Sequence, residues 1–145
     1  ADVVSILIGT NDVNEYLGKK DGRAFDFVSW KQTYRELLDS LRRDNPQVKI
    51  VLCEPFTACT GNMKKTDDFA LRDSLIQRLG KITSQIAADY DDAFIPYASM
   101  FHRLLTESSN LPDTYWIWDG IHPTPAGHKR MADLWIEQIE KYHIL

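Results

Sequence analysis

The sequence has few cysteines, no excess of positive charge and no long apolar segment. Cys53 and Cys59 are its two cysteines, too few for a disulfide framework or a four-cysteine zinc site, and we expect free thiols, with a local disulfide as the alternative. Its 17 basic and 21 acidic residues give a net charge of -4, which argues against nucleic acid as a partner. The apolar runs reach about six residues, whereas a membrane span needs about 20, so no membrane span is predicted.

The composition that remains is that of a globular domain, with 43% hydrophobic and 26% charged residues in a chain of 145, which suits one domain. The chain opens directly on an apolar run, Val3–Ile8, without an initiator methionine or a signal peptide. We therefore expect residues 1–145 to form a single α/β domain that is N-terminally incomplete. We also expect a soluble protein. The sequence does not specify whether it is cytoplasmic or secreted, because any targeting signal would lie before Ala1.

Short apolar runs alternate with segments of helical periodicity along the chain. Three strands are predicted, at Val3–Ile8, Val48–Cys53 and Ala93–Ile95. Helices are predicted over about 26–43, 67–89 and 97–106, and after Thr124, which caps a last helix with Pro125 at its first position. Polar loops are predicted over about 9–24 and 57–66. Because strands joined by helices need crossover connections, we expect an α/β fold with a parallel sheet and helices on both faces.

The segment 119–123, Asp-Gly-Ile-His-Pro, precedes the last predicted helix. A histidine has a pKa suited to general-base catalysis, and a carboxylate bonded to its other ring nitrogen fixes the tautomer. A turn of three residues can bring Asp119 onto His122, so the pair is a candidate base with its partner. An ordinary surface turn is the alternative.

The segment 9–12, Gly-Thr-Asn-Asp, ends the first predicted strand. An asparagine amide on a rigid strand end can donate to a developing oxyanion, and Gly9 lets a substrate approach closely. Gly, Asn and Asp are also common in strand-ending turns, which is the alternative. Loops at the carboxyl ends of parallel strands build ligand sites, so both segments are expected at one edge of the sheet.

The two motifs together resemble the third and fifth conserved blocks of the SGNH (GDSL-like) hydrolase family. The resemblance covers the chain in order and spacing, and it continues through residues 124–128, Thr-Pro-Ala-Gly-His. It implies a flavodoxin-like three-layer sandwich and an esterase, acetylesterase or lipase with a Ser-His-Asp triad and no cofactor. By the match, His122 is the base, Asp119 its partner and Asn11 an oxyanion donor. Gly9, Asp12 and Trp118 are weaker candidates for substrate contacts.

The family's first block, a Gly-Asp-Ser that supplies the nucleophile, has no counterpart in the sequence. None of the eight serines lies in that context or at the end of a predicted strand. We therefore expect the nucleophile, and the family's first two strands, to lie upstream, and the chain alone to be inactive. The rival interpretations are a non-catalytic flavodoxin-like binding domain, an inactive fragment and, less favoured, a metal-dependent hydrolase.

The family strand order places the missing first strand beside Val3–Ile8. That run contains no Pro, Lys or Glu to discourage pairing with another chain. We expect either the missing N-terminal segment or a second copy of the chain to cover this edge. An ester of small-molecule, carbohydrate or lipid type is the expected substrate.

Overall fold

In a computed structural model, which describes residues 1–19 and 21–144, three short strands alternate with helices. The strands are β1 (Val3–Ile6), β2 (Lys49–Cys53) and β3 (Ala93–Ile95). The helices are α1 (Thr10–Lys19), α2 (Phe27–Asp44), α3 (Phe69–Tyr90), α4 (Tyr97–Glu107) and α5 (Pro125–Lys141), with a 3-10 turn at Gly61–Lys65. Within these residues, no helix has both the length and the apolar character needed to cross a membrane.

The strands form a parallel sheet in the order β1-β2-β3. Val3 pairs with Lys49 and Ile6 with Leu52, while Val51 of β2 pairs with Ala93 of β3. Since β2 is central, its side chains from Ile50 to Cys53 are all buried, as expected of a strand covered on both faces. The α/β fold class and the parallel sheet are confirmed.

The core has a layer on each side of the sheet. Val51 and Cys53 point toward Phe101 of α4 and Ile139 of α5. Ile50 and Leu52 point the other way, into a cluster completed by side chains of α2 and α3. The alternation of β2 side chains between the two clusters follows from the two-residue period of a strand.

The predicted loop over residues 9–24 is wrong, because Thr10–Lys19 is a helix. Val13, Tyr16 and Leu17 have the i, i+3, i+4 spacing of an amphipathic helix and pack against Leu75 and its neighbours on α3. Because polar residues separate these three apolar residues, their helical periodicity is weak in the sequence. The consequence for the site is that Asn11 and Asp12 lie in the first turn of α1, not in an extended loop.

The first strand is also shorter than predicted. It ends at Ile6, and Leu7 and Ile8 lie beyond it with 43% and 39% of their surface exposed. Among the described residues, β1 pairs with β2 along one edge and has no strand on its other edge.

Candidate active site

Asp119 and His122 are joined side chain to side chain across a tight loop. Asp119 Oδ2 lies 2.7 Å from His122 Nδ1, and Asp119 Oδ1 accepts the backbone N–H groups of Ile121 at 3.0 Å and His122 at 2.8 Å. The His122 side chain is 67% exposed and that of Asp119 is 18% exposed. The imidazole is thus held by the sheltered carboxylate through Nδ1 while its Nε2 side is available to a reactant.

The pKa of the Asp119 carboxyl reflects two opposing influences. Partial burial raises it, but the hydrogen bonds from the His122 backbone, the His122 ring and the Ile121 backbone outweigh burial, so the pKa lies below its usual value. Asp119 therefore carries its negative charge over the whole neutral range, as required of a group that stabilises an imidazolium.

Gly120 lets the loop pack closely on the segment that follows β2. It has a φ of +96°, and a Cβ there would lie 2.4 Å from Met63 Cβ and 2.8 Å from the Ala58 carbonyl oxygen. The Gly120 carbonyl accepts the Ala58 N–H at 2.9 Å and the Thr57 hydroxyl at 3.1 Å. These contacts require the absence of a side chain at position 120, and they fix the loop against the sheet.

The far side of the loop is fixed by the start of α5. The Thr124 hydroxyl accepts the Gly127 N–H at 3.2 Å and donates to the Tyr115 carbonyl at 2.6 Å. The Trp118 N–H donates to the His122 carbonyl at 3.1 Å. Thr124 caps the helix beginning at Pro125, as predicted from the sequence, so the cap also closes the loop that carries His122.

His122 opens onto a cavity of about 320 Å³, bounded on its opposite side by the segment after β1. Gly9, Asn11 and Asp12 line the same cavity, together with His128 on α5. The structure thus brings together five of the six residues singled out from the sequence, counting Asp119 through its bond to His122. His128 is exposed at the edge of this cleft.

Trp118 is the sixth, and it does not line the cleft. Trp118 is 53% exposed, and its ring stacks beside the His122 ring, with 6.2 Å between the ring centroids and an interplanar angle of 29°. Trp118 therefore lies against the candidate base and outside the set of residues that line this cavity.

No serine lines this cleft in the part of the chain that the structure describes. Ser5 lies in β1, where its hydroxyl contacts Cys53 Sγ at 3.3 Å and accepts the Trp135 indole N–H at 3.2 Å. These contacts hold Ser5 against Cys53 of β2 and Trp135 of α5, and Ser5 does not line the cleft. Cys53 is buried and Cys59 is exposed, and both are free thiols, as predicted.

The described residues contain no group of three or more His, Cys, Asp or Glu side chains placed to hold a metal ion. Asp119 and His122 instead satisfy each other. Glu54, directly after β2, lies half-buried and accepts the Ala98 N–H at the start of α4, at 3.0 Å. Burial raises the pKa of Glu54, and hydrogen bonds from Ala98 and Ser99 partly oppose the rise.

A profile of the GDSL-like Lipase/Acylhydrolase family matches residues 1–130. The chain belongs to this family. Its members have the α/β fold seen here, and the resemblance drawn from residues 9–12 and 119–123 is confirmed.

Two similar proteins are esterases. A multidomain esterase of Ruminococcus flavefaciens is 28% identical over 97% of this chain and 16% of its own length. An acetylxylan esterase of Geobacillus stearothermophilus is 29% identical over 95% of this chain and 59% of its own. A solved structure described as a GDSL-like lipase, from Parabacteroides merdae, superposes with a TM-score of 0.80 at 29% identity, over 99% of this chain and 61% of that one. The chain therefore spans less than two thirds of each of these relatives.

The Geobacillus esterase has also been solved as several variants. Those described as catalytic mutants replace a serine, an aspartate or a histidine by alanine, and the aspartate and histidine are three positions apart. In another variant the replaced residue is a tryptophan directly before that aspartate. The serine-to-alanine structure superposes on this chain with a TM-score of 0.74 at 27% identity.

Proposed function

We propose that this chain supplies the proton-transfer part and one oxyanion donor of a serine ester hydrolase. The observation that carries the proposal is the 2.7 Å contact between His122 Nδ1 and Asp119 Oδ2 beside the cleft that Asn11 also lines. In this proposal, His122 Nε2 takes the proton of a serine hydroxyl as that oxygen attacks the ester carbonyl. His122 then returns the proton to the leaving alcohol, and the Asn11 amide donates to the oxyanion. Water, deprotonated by His122, next attacks the acyl-serine, and the carboxylic acid leaves as the serine regains its proton.

The spacing of the dyad supports this assignment. Asp119 and His122 have the same separation as the aspartate and histidine changed in the catalytic mutants of the Geobacillus esterase, and Trp118 likewise precedes the aspartate. In that esterase, the serine changed in a third catalytic mutant precedes the aspartate by more residues than separate Ala1 from Asp119. We therefore place the nucleophile ahead of Ala1 and propose that the chain alone is inactive.

The free edge of β1 is where the nucleophile-bearing part would join. Along the unpaired side of β1, backbone N–H and C=O groups have no strand partner in the described chain. Apolar surface continues past the strand in Leu7 and Ile8, which directly precede the cleft residue Gly9. A parallel strand added here would end beside the cleft, because carboxyl ends of parallel strands share one edge. A serine at the end of that strand would then face His122.

The test compares residues 1–145 with the same residues extended by the upstream coding sequence. With 4-nitrophenyl acetate as substrate, we expect hydrolysis from the extended protein and none from the chain alone above a His122→Ala control. In the extended protein, His122→Ala should lower kcat/KM by about 10⁴-fold or more, and Asn11→Ala by about 10²- to 10³-fold.

The matched control is His143→Asn, an exposed histidine outside the cleft whose φ of 52° asparagine tolerates. It should leave kcat/KM unchanged. Turnover by the chain alone that His122→Ala abolishes would contradict the placement of the nucleophile. An extended protein that folds but hydrolyses no ester would instead favour the non-catalytic binding domain.

A further inference from the structure

A second cavity, of about 620 Å³, lies beside the candidate cleft at the carboxyl edge of the sheet. Its walls come from α3, α4 and the segment that leaves β2. Phe56, in that segment, lines both this cavity and the cleft that contains His122. The two spaces therefore adjoin across one aromatic residue.

The wall between the two spaces is fixed in place. Glu54 accepts the Ala98 N–H at 3.0 Å, which ties the end of β2 to the start of α4. Gly80 leaves room for the Glu54 side chain, since a Cβ at that position would lie 3.1 Å from its carboxylate oxygen. Thr57 donates to the Gly120 carbonyl of the His122 loop at 3.1 Å. A cavity held in this way is preformed, which lowers the entropic cost of binding.

The lining combines aromatic surface with hydrogen-bonding groups of mixed charge. Phe69, which is half-buried, supplies the aromatic surface, while Phe56 is buried in the wall with 6% of its surface exposed. The polar side chains that line the cavity come mainly from α3 and α4: Asp73, Gln77, Lys81, Ser99 and His102. Gln77 Nε2 donates to Asp73 Oδ2 at 2.7 Å, which leaves the Gln77 carbonyl and the other amide hydrogen for a ligand.

This chemistry selects among ligand classes. An alkyl chain would strip water from the polar side chains without replacing their hydrogen bonds, which is unfavourable. An anion would meet the carboxyl groups of Glu54 and Asp73, and a cation would meet the ammonium group of Lys81. A neutral ligand rich in hydroxyl groups can donate, accept and pack its C–H face on an aromatic ring at the same time.

We propose that this cavity binds a neutral sugar unit of a carbohydrate ester whose acyl group lies in the adjoining cleft. The inference rests on the proposed function for its role in catalysis, and it narrows the substrate class to acylated oligosaccharides or polysaccharides. The similarity to an acetylxylan esterase is consistent with that class. Gln77 is then a substrate-binding residue for the sugar, remote from the reacting atoms.

The binding test uses xylotetraose, which is neutral and carries no ester, so it does not depend on the nucleophile. Titrated into ¹⁵N-labelled protein, it should shift the backbone amide signals of Gln77 and His102. Gln77→Ala should weaken binding about threefold to tenfold through the lost hydrogen bonds. Gln85→Ala is the matched control, because Gln85 is on the same helix, donates to Asp89 at 2.8 Å and lies outside the cavity. It should leave the affinity unchanged.

Absence of binding, or equal weakening by Gln77→Ala and Gln85→Ala, would overturn the inference. A second measurement separates it from the proposed function. In the extended protein, Gln77→Ala should raise KM for an acetylated xylo-oligosaccharide, whereas Gln85→Ala should leave both this KM and the hydrolysis of 4-nitrophenyl acetate unchanged. Hydrolysis of both esters without this difference would refute the sugar site alone, and binding of xylotetraose without any hydrolysis would refute the serine hydrolase assignment alone.

Discussion

Replacing Gly120 by alanine tests whether the His122 loop packs closely on the segment after β2. At a φ of +96° an L-residue is strained by about 1–2 kcal/mol. The added Cβ would also lie 2.4 Å from Met63 Cβ and 2.8 Å from the Ala58 carbonyl oxygen, and relieving such overpacking costs about 1–3 kcal/mol. We therefore expect Gly120→Ala to lower the free energy of unfolding by about 2–5 kcal/mol.

Gly22→Ala isolates the conformational part of this cost. Gly22 has a φ of +75°, but no atom lies within 4 Å of the position that a Cβ would occupy there, so its replacement should cost about 1–2 kcal/mol. Urea unfolding followed by tryptophan fluorescence measures both variants, with the m-value checked for constancy. A Gly120→Ala variant no less stable than Gly22→Ala would refute the close packing of the loop on Ala58 and Met63.

Three further predictions concern charge and assembly. The folded state depresses the pKa of Asp119, so its contribution to stability is present above about pH 4 and is lost as pH falls through the lower folded value; Asp119→Asn should flatten that acid limb in urea unfolding. The folded state raises the pKa of Glu54, so its effect has the opposite sign: stability should decline as pH rises through the folded pKa, and Glu54→Gln should remove that decline. The free edge of β1 should be covered in solution, so size-exclusion chromatography with light scattering should show a particle heavier than 16.7 kDa. A well-folded monomer with β1 open to water would contradict the edge argument and the strand order behind it.

Local chemistry explains which elements were predictable from the sequence. The start of α5 was predicted to the residue because Thr124 and Pro125 act within one helical turn. The strand Ala93–Ile95 was predicted equally well, since it is short, apolar and closed by Pro96. Helix α1 was missed because what stabilises it is packing on α3, whose residues lie far along the chain.

The features of the candidate site likewise fall into those predictable from the sequence and those that depend on tertiary packing. The contact between Asp119 and His122 follows from a three-residue spacing, and the meeting of His122 with Asn11 follows from the general rule that parallel strands end at one edge. The position of Trp118 on the outer side of the imidazole depends on the path of the loop, which sequence spacing does not specify. The second cavity combines side chains of α3 and α4 that no motif links, so only the packed structure reveals it.

The carboxylate of Asp119 takes its hydrogen bonds from the two positions Ile121 and His122. Each of these bonds closes a ring of only a few residues, so the chain entropy lost in forming the pair is small. The relative geometry of base and carboxylate is therefore determined by a short stretch of sequence. The surrounding sheet and helices determine only the position and orientation of the pair in the fold. Substitutions in distant helices should then redirect the pair as a whole and leave its tautomer and its 2.7 Å contact intact.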